Sequence, residues 1–314
     1  MWKAKNPSGR RRLRLLIVGC GDIGLRVAAL ARPHYQLIAL TSSPHRLSAL
    51  RAAGIVPIVG NLDEPQTLWR LAGLAADRVL MLAPPADGAE TIDLRSRHLI
   101  SRLKQSVMLS GPRKKSLRLV YASTSGVYGD CAGQRVAETR PCQPQTARAQ
   151  RRCDAERQWR QAGRKYGWDV AILRIPGIYD GQARSPRARL QQGLPVLTAE
   201  DDVYTNHIHA DDLARICLLA LERAAPGRVY NVSDDSELRM GDYADLAADL
   251  YGLPRPPRVA RAQAQAAGLS PMMLSFLRES RRLDNTRMKA ELGVRLRYPT
   301  VTQGLRQGQG TAAA

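Results

Sequence analysis

The sequence predicts an α/β protein: a doubly wound parallel sheet with helices on both faces, joined to a smaller C-terminal lobe. Three observations predict it. Short β-branched or aliphatic runs alternate with helical patterns from Leu13 to Ser123, the signature of parallel strands linked by crossover helices. A G-x-G-x-x-G turn, Gly19-Cys20-Gly21-Asp22-Ile23-Gly24, directly follows the first such run and opens a helix. The chain has 314 residues, enough to bury a sizeable core without metal or disulfides.

Each element has a local reason. Leu13–Val18 reads as a buried strand, and 22–32 as a helix with Ile23, Val27 and Leu30 on one apolar stripe. Residues 36–40 form the next strand. Residues 44–54 form a helix with Pro44 at its start and Gly54 at its end, the asymmetry that helices favour. A third strand at 55–60, a short helix at 66–74 and a fourth strand at 77–84 follow, then a long helix over 90–107 and a fifth strand over 117–123. The second half is less regular. It reads as a helix at 147–166, a strand at 168–175, a helix at 210–224 capped by Asp211 or the residue before it, and a strand at 227–233. A helix at 240–252 is stopped by Gly252. The proline-rich 254–258 breaks the pattern, short helical pieces near 260–292 follow, and the final GQGTAAA reads as frayed. The first domain is therefore expected at 12–175 with returns over about 211–233, and the smaller lobe at 176–210 and 234–306.

The glycine turn makes a chemical statement. Its first glycine permits the tight turn, the second lets backbone approach a pyrophosphate, and the third lets helix and strand pack closely. The helix N-terminus adds N–H donors and positive potential. Gly19, Gly21, Asp22, Ile23 and Gly24 are accordingly assigned to a dinucleotide in a Rossmann-type domain, the alternative being a tight turn with no ligand. A site for NAD usually offers an acid about 20 residues on, for the ribose 2′-hydroxyl. Here that position reads Thr41-Ser42-Ser43-Pro44-His45-Arg46, and no acid occurs between Asp22 and Asp63. Hydroxyls with an arginine suit a 2′-phosphate. Ser42 and Arg46 therefore point to NADP as cofactor, with NAD the alternative. The competing reading has Arg46 only snorkelling from a helix start.

Composition narrows the partners. The chain carries 48 Lys+Arg against 28 Asp+Glu, formally +20, a balance that favours anionic ligands. Basic residues gather in Met1–Arg14 and Leu94–Arg118, both free of acid. Neither has the aromatic interleaving of a single-strand binder, and no helix-turn-helix or zinc-finger spacing occurs, so the pattern speaks against nucleic acid. Five scattered cysteines form no CxxC or Cys/His metal spacing and suit a reducing cytoplasm. No metal site is expected. The apolar run Leu15–Val18 is shorter than the about 7–15 residues of a signal core. No apolar run reaches the about 18 residues of a membrane span. The oligomeric state stays open, a homodimer among the options.

Several segments in order resemble the extended short-chain dehydrogenase/reductases, the NAD-dependent epimerase/dehydratase family, over nearly the whole chain. Gly60-Asn61-Leu62 resembles that family's G-D-L, which contacts adenine. Leu82-Ala83-Pro84-Pro85 looks like its cofactor-lining loop, and Ser123-Thr124-Ser125-Gly126-Val127-Tyr128-Gly129 like its S-S/T-x-x-V-Y-G segment. Leu173-Arg174-Ile175-Pro176-Gly177-Ile178-Tyr179 and Asn206-His207-Ile208-His209-Ala210-Asp211-Asp212 are similar to two later motifs, and Tyr230-Asn231-Val232-Ser233 fits the strand that follows. The resemblance implies cofactor contacts at Asn61, Leu62, Ala83 and Pro84, and a substrate-polarising hydroxyl at Thr124. It also implies a Tyr-x-x-x-Lys pair on the next helix, which this chain lacks: no tyrosine has a lysine four residues on. Anchoring on Glu156, the family's common glutamate, places Arg152 at the lysine position and Arg148 at the tyrosine position. Arg152 can stand beside the cofactor ribose as a charge. Arg148 cannot move a proton near neutral pH, because a guanidinium stays protonated, but it can grip a substrate anion. Arg151 reads as a solvated helix face. Tyr128 is the stand-in acid/base, with packing as the competing reading. Asn206 and His207 are expected at the substrate, His207 or His209 as a carrier of a proton, and His209 mainly as a group that orients the chain. The implied function is an NAD(P)-dependent oxidoreductase or epimerase-like enzyme on a small or nucleotide-linked polar substrate. The alternative is a non-catalytic NADP-binding redox sensor.

Overall fold

Seven strands form one sheet in a computed structural model that describes residues 12–109 and 116–307. Most of the first basic stretch, part of the second and the GQGTAAA end lie outside the described residues. The strands are β1 (Leu13–Val18), β2 (Tyr35–Thr41), β3 (Val56–Val59), β4 (Arg78–Met81) and β5 (Arg118–Thr124), followed by Asp169–Ile175 and Val229–Asn231. Their order across the sheet is β3, β2, β1, β4, β5, Asp169–Ile175, Val229–Asn231. Pairing is parallel from β3 through β5. The chain moves outward from β1 to β2 and β3, then returns to β4 on the other flank of β1. That reversal opens a crevice at the carboxyl ends of β1 and β4.

Burial explains why these runs are strands. Leu15, Leu16 and Ile17 of β1 are fully buried, as expected for a strand covered on both faces. β3 tolerates Pro57 because it is the sheet's edge. Helix α1 (Asp22–Ala31) buries Ile23, Val27 and Ala31 at a spacing of four, while Leu30 is exposed, so the apolar stripe expected through Leu30 runs through Ala31. The expected helix at 44–54 is a 3₁₀ turn, Pro44–Arg46, followed by α2 (Leu47–Ala52), and 66–74 is a 3₁₀ helix, Pro65–Leu71. α3 (Leu94–Leu109) starts four residues later than its pattern suggests. Asp93 caps it, accepting from the Arg95 and Ser96 amides at 3.1 and 3.3 Å. α4 (Ala147–Tyr166) is capped by Thr146, whose hydroxyl accepts from the Ala149 amide, and ends on Gly167 in the left-handed region. Among the described residues no helix is long and apolar enough to cross a membrane.

The chain clusters into two compact units. One holds the described residues through Ser123 with Thr146–Leu173 and Ala214–Val229. The other holds Thr124–Gln145, Arg174–Leu213 and the described residues from Tyr230 on. In the second unit the strand Gly177–Tyr179 pairs in parallel with His207–His209, and Arg135–Val136 with Arg282–Leu283. Helix Ala210–Arg223 begins beside His209, whose Nδ1 accepts from the Asp211 amide at 3.2 Å. The cap is therefore this histidine and not Asp211 or Ala210. Asp212 turns instead to the Arg297 and Tyr298 amides, accepting at 2.9 to 3.0 Å.

Asp234 is the most perturbed carboxyl of this unit. It accepts from the Ser236 amide at 3.0 Å, and burial pushes it up to about 8. Between the usual carboxylate range near about 3.9 and that value, the folded protein keeps a proton that the unfolded chain releases. This contribution to stability is complete at low pH and is lost as pH rises through the window. Asp234→Asn keeps the acceptor for Ser236 and cannot ionise. Its Tm relative to wild type is expected to climb between pH 4 and pH 8 and then level off. Parallel profiles for the two proteins would contradict the assignment.

Candidate dinucleotide cleft and active-site residues

The turn after β1 is set by one close approach. Gly19 sits at φ +86°, and a Cβ built on it would lie 2.5 Å from the Ala83 nitrogen. The Ala83 and Leu82 amides donate to the Val18 carbonyl at 3.0 and 2.8 Å, which holds the two chains together. Gly21, whose amide donates to the Gly19 carbonyl at 2.8 Å, is the N-cap of α1 and offers no side-chain cap. Nothing lies within 4 Å of a Cβ at Gly21. A helix start without a side-chain cap, beside open space, is where an anion can bind. A Cβ on Gly24 would meet Cys20 Sγ at 3.2 Å and Ile17 Cγ2 at 3.3 Å, so this glycine serves helix–strand packing. The Asp22 carboxylate turns away to Arg26 at 2.9 Å, and Ile23 is buried.

A cleft of about 320 Å³ opens above this turn. Of the residues assigned to the cofactor from sequence, Gly19, Gly21, Ser42, Arg46, Asn61, Leu62, Ala83 and Pro84 line it, while Asp22, Ile23, Gly24 and Arg152 do not. Its charged lining residues are Arg46 and Arg95, with no acid among them. Arg46 Nη2 donates to the Cys20 carbonyl at 2.8 Å. It folds over the glycine turn instead of snorkelling outward. Burial pushes the neighbouring Cys20 thiol up to about 11, so it stays a thiol at neutral pH. The Asn61 side chain closes its own loop, accepting from the Asp63 amide and donating to Glu64. Arg95 escaped the sequence reading. It makes a two-pronged pair with Asp63 at 2.6 and 2.7 Å and donates to the Pro84 carbonyl at 3.0 Å, tying the loops after β3 and β4 together. That ion pair holds the Asp63 carboxyl below the usual carboxylate range. No motif flags such an arginine; its only sequence signal is the basic run that begins at Leu94.

Helix α4 meets the end of β5 through its charged residues. The Ser123 hydroxyl donates to the buried Glu156 carboxylate at 2.6 Å. One turn earlier, Arg152 Nη1 donates to the Ala122 carbonyl at 2.6 Å and the Tyr121 hydroxyl at 3.2 Å. Glu156 thus anchors the register that sets Arg152 and Arg148 one and two turns before it. Arg148 is exposed. Arg151 corrects its expected role as a solvated face. It is buried, and its guanidinium donates to the carbonyls of Gly88 and Glu90. Only partners brought from a distant loop make that burial tolerable.

In the second unit, Thr124 is half-buried at the end of β5, and its Oγ1 accepts from the Gly126 amide at 3.3 Å. Tyr128, expected as a stand-in acid/base, is fully buried. Its hydroxyl donates to Asn231 Oδ1 at 2.7 Å, and Arg174 lies over its ring, so it pins the segment by packing. Asn206, expected at the substrate, clamps backbone instead. It donates to the Arg281 carbonyl at 2.9 Å and accepts from the Leu283 amide at 2.8 Å. His207 is buried, stacked on Tyr243, with no hydrogen-bond partner for Nδ1. Burial lowers it to about 4. It is neutral at physiological pH and does not fit the expected proton carrier. Sequence reading also missed Glu279 and Arg281, a buried ion pair 2.9 Å apart.

The chain belongs to the NAD dependent epimerase/dehydratase family, whose model matches residues 15–233. A functionally unknown conserved protein from Silicibacter pomeroyi is 31% identical with a TM-score of 0.74, covering 94% of this chain and 98% of its own. A dTDP-glucose 4,6-dehydratase from Bacillus anthracis, solved with NAD, is 16% identical at TM-score 0.73, covering 94% and 95%. A UDP-glucose 4-epimerase from Thermotoga maritima, solved with UDP-glucose, is 18% identical at TM-score 0.73, covering 94% and 96%. These last two share the fold. No curated protein matches the sequence.

Gly19→Ala places a methyl into backbone at a left-handed φ. The expected cost is about 2–5 kcal/mol from strain and overpacking combined, measured by urea unfolding. Gly21→Ala meets no such wall and should leave stability within about 1 kcal/mol of wild type. Equal stabilities for the two variants would contradict the close approach.

Proposed function

We propose that this chain is an NADP-dependent oxidoreductase or epimerase-like enzyme acting on a small or nucleotide-linked polar substrate. The observation that carries this reading is the uncapped start of α1 at Gly21, opening on a cleft whose charged lining is arginine alone. The amides at the glycine turn would hold the diphosphate. Ser42 and Arg46 would hold a 2′-phosphate, and Arg95 adds positive potential. When bound, the nicotinamide supplies a hydride acceptor or donor at its C4. Thr124 polarises the substrate oxygen, and Arg148 grips a substrate phosphate or carboxylate. Structural relatives whose ligands are NAD and UDP-glucose support the substrate class by analogy of fold. None of the five cysteines is joined in a disulfide, in keeping with a reducing cytoplasm.

One observation favours a second reading. Arginines replace the Tyr-Lys pair, and Tyr128, four residues after Thr124, is buried against Asn231. A non-catalytic NADP-binding sensor would need no proton-moving pair.

Fluorescence titration with NADPH and NADH separates these readings. NADPH is expected to bind more tightly, and Arg46→Ala to weaken NADPH roughly 10- to 100-fold, the value of a charge-assisted contact, while NADH changes little. Incubation with NADP⁺ and a panel containing UDP-glucose and dTDP-glucose then tests turnover, which Thr124→Ala should abolish. Tight binding without turnover favours the sensor. Failure to bind either coenzyme contradicts both readings.

A further inference from the structure

The 3₁₀ helix Pro65–Leu71 covers only part of the sheet beside it. Leu68 and Leu71, one turn apart in such a helix, are fully buried in the same core as Leu16, Ile38 and Leu40 of the sheet. Trp69 and Arg70 fall between them and stay exposed, Trp69 by 63%. Where the cover stops, a notch of about 430 Å³ remains between helix and sheet. It lies within the first unit, and none of its lining residues lines the cofactor cleft.

Strand register builds the floor of the notch. Arg14 of β1 stands opposite Gln36 of β2, and Ile38 opposite Val56 of β3. Side chains two apart share a face, so Ile38, Val56 and Ile58 join in one apolar surface, of which Val56 is 52% exposed. Gly73 adds no side chain, and a Cβ there would meet nothing within 4 Å. Two guanidiniums complete the lining. Arg14 is fixed in place, donating to Gln36 Oε1 at 3.3 Å and to the Leu74 carbonyl at 2.8 Å. Arg70 lies over the indole of Trp69, its Cζ 5.1 Å from the ring centroid. No acid lines the notch, and among the described residues neither guanidinium is paired with a carboxylate. The Asp77 carboxylate accepts instead from the Arg14 amide at 2.8 Å.

These features define what fits. An apolar occupant would bury two charges without partners, which is costly. A bare inorganic anion would leave the Trp69 ring and the Val56 surface in water. An occupant that satisfies both carries a flat ring and an acid group. A notch of this volume takes a small molecule, and indole and guanidinium faces both stack on flat rings. We propose that the notch is a second binding site, for a small planar aromatic acid. The ring lies on the Ile38, Val56 and Ile58 surface beside Trp69, and Arg14 and Arg70 hold the carboxylate or phosphate. The site is separate from the cofactor cleft and does not depend on the enzyme reading.

The test follows the indole N–H signal of Trp69 by NMR on the full chain, assigned by its loss in Trp69→Phe. The probes are naphthoate and naphthyl phosphate. The controls are naphthylmethanol, a ring without charge, and inorganic phosphate, a charge without a ring. At least one acid is expected to move the Trp69 signal saturably with a Kd below about 1 mM, the tighter of the two naming the preferred acid group. Both controls should bind about tenfold more weakly or not at all. Arg14→Gln and Arg70→Gln should each weaken the acid about tenfold or more, the value of a charge-assisted contact. Arg70 is exposed and ties no loop, so Arg70→Gln should fold as wild type does and decides the matter if Arg14→Gln does not fold. No saturable movement with either acid, equal binding of naphthylmethanol, or unchanged affinity in Arg70→Gln overturns the proposal. A Trp69 signal that moves with protein concentration instead of with added acid assigns the notch to a second copy of the chain and overturns it as well.

Discussion

The passage of the Gly19 backbone against Ala83 is the constraint on which the rest of the first unit depends. It lets the chain leave β1, turn within a few residues and enter α1 with the helix start free of any capping side chain. The same contact brings the end of β4 against the end of β1, where the sheet reverses direction. Any side chain at position 19 would push these strands' ends apart. The cleft is a consequence of that one missing Cβ, and the arginines that line it give the space its sign.

Arginine is the chain's recurring tool. Arg46 bends over the glycine turn, Arg95 joins two loops, Arg151 gathers a third loop by its carbonyls, and Arg152 caps the end of β5. Each guanidinium offers several donors in a fixed plane, which suits carbonyls and carboxylates that converge from different segments. Part of the chain's arginine content therefore serves to hold loops. This also explains how α4 can lose a tyrosine and a lysine and keep its place: Glu156 binds Ser123, and Arg152 binds the carbonyl next to it.

The sheet is legible in the sequence because buried parallel strands are short aliphatic runs, and the glycine turn is legible because it sits between such a run and a helix. Helix starts are less so. Leu94 begins α3 only because Asp93 caps it, and Ala31 replaces Leu30 on the buried stripe because a helix turns by 100° per residue. The candidate site divides in the same way. Gly19, Gly21, Arg46 and Ala83 are local and readable. Arg151 and Asn206 owe their surroundings to carbonyls and amides distant in sequence, which no spacing rule encodes. Tyr128 and His207 match motifs, yet burial decides what they can do, and burial is a property of the fold.

A crystal structure with bound NADPH tests the central claim most directly. The account predicts the diphosphate on the amides at the Gly21 start of α1, with the adenosine 2′-phosphate against Ser42 and Arg46. A diphosphate bound anywhere else, or that helix start covered by the protein's own side chains, would contradict it.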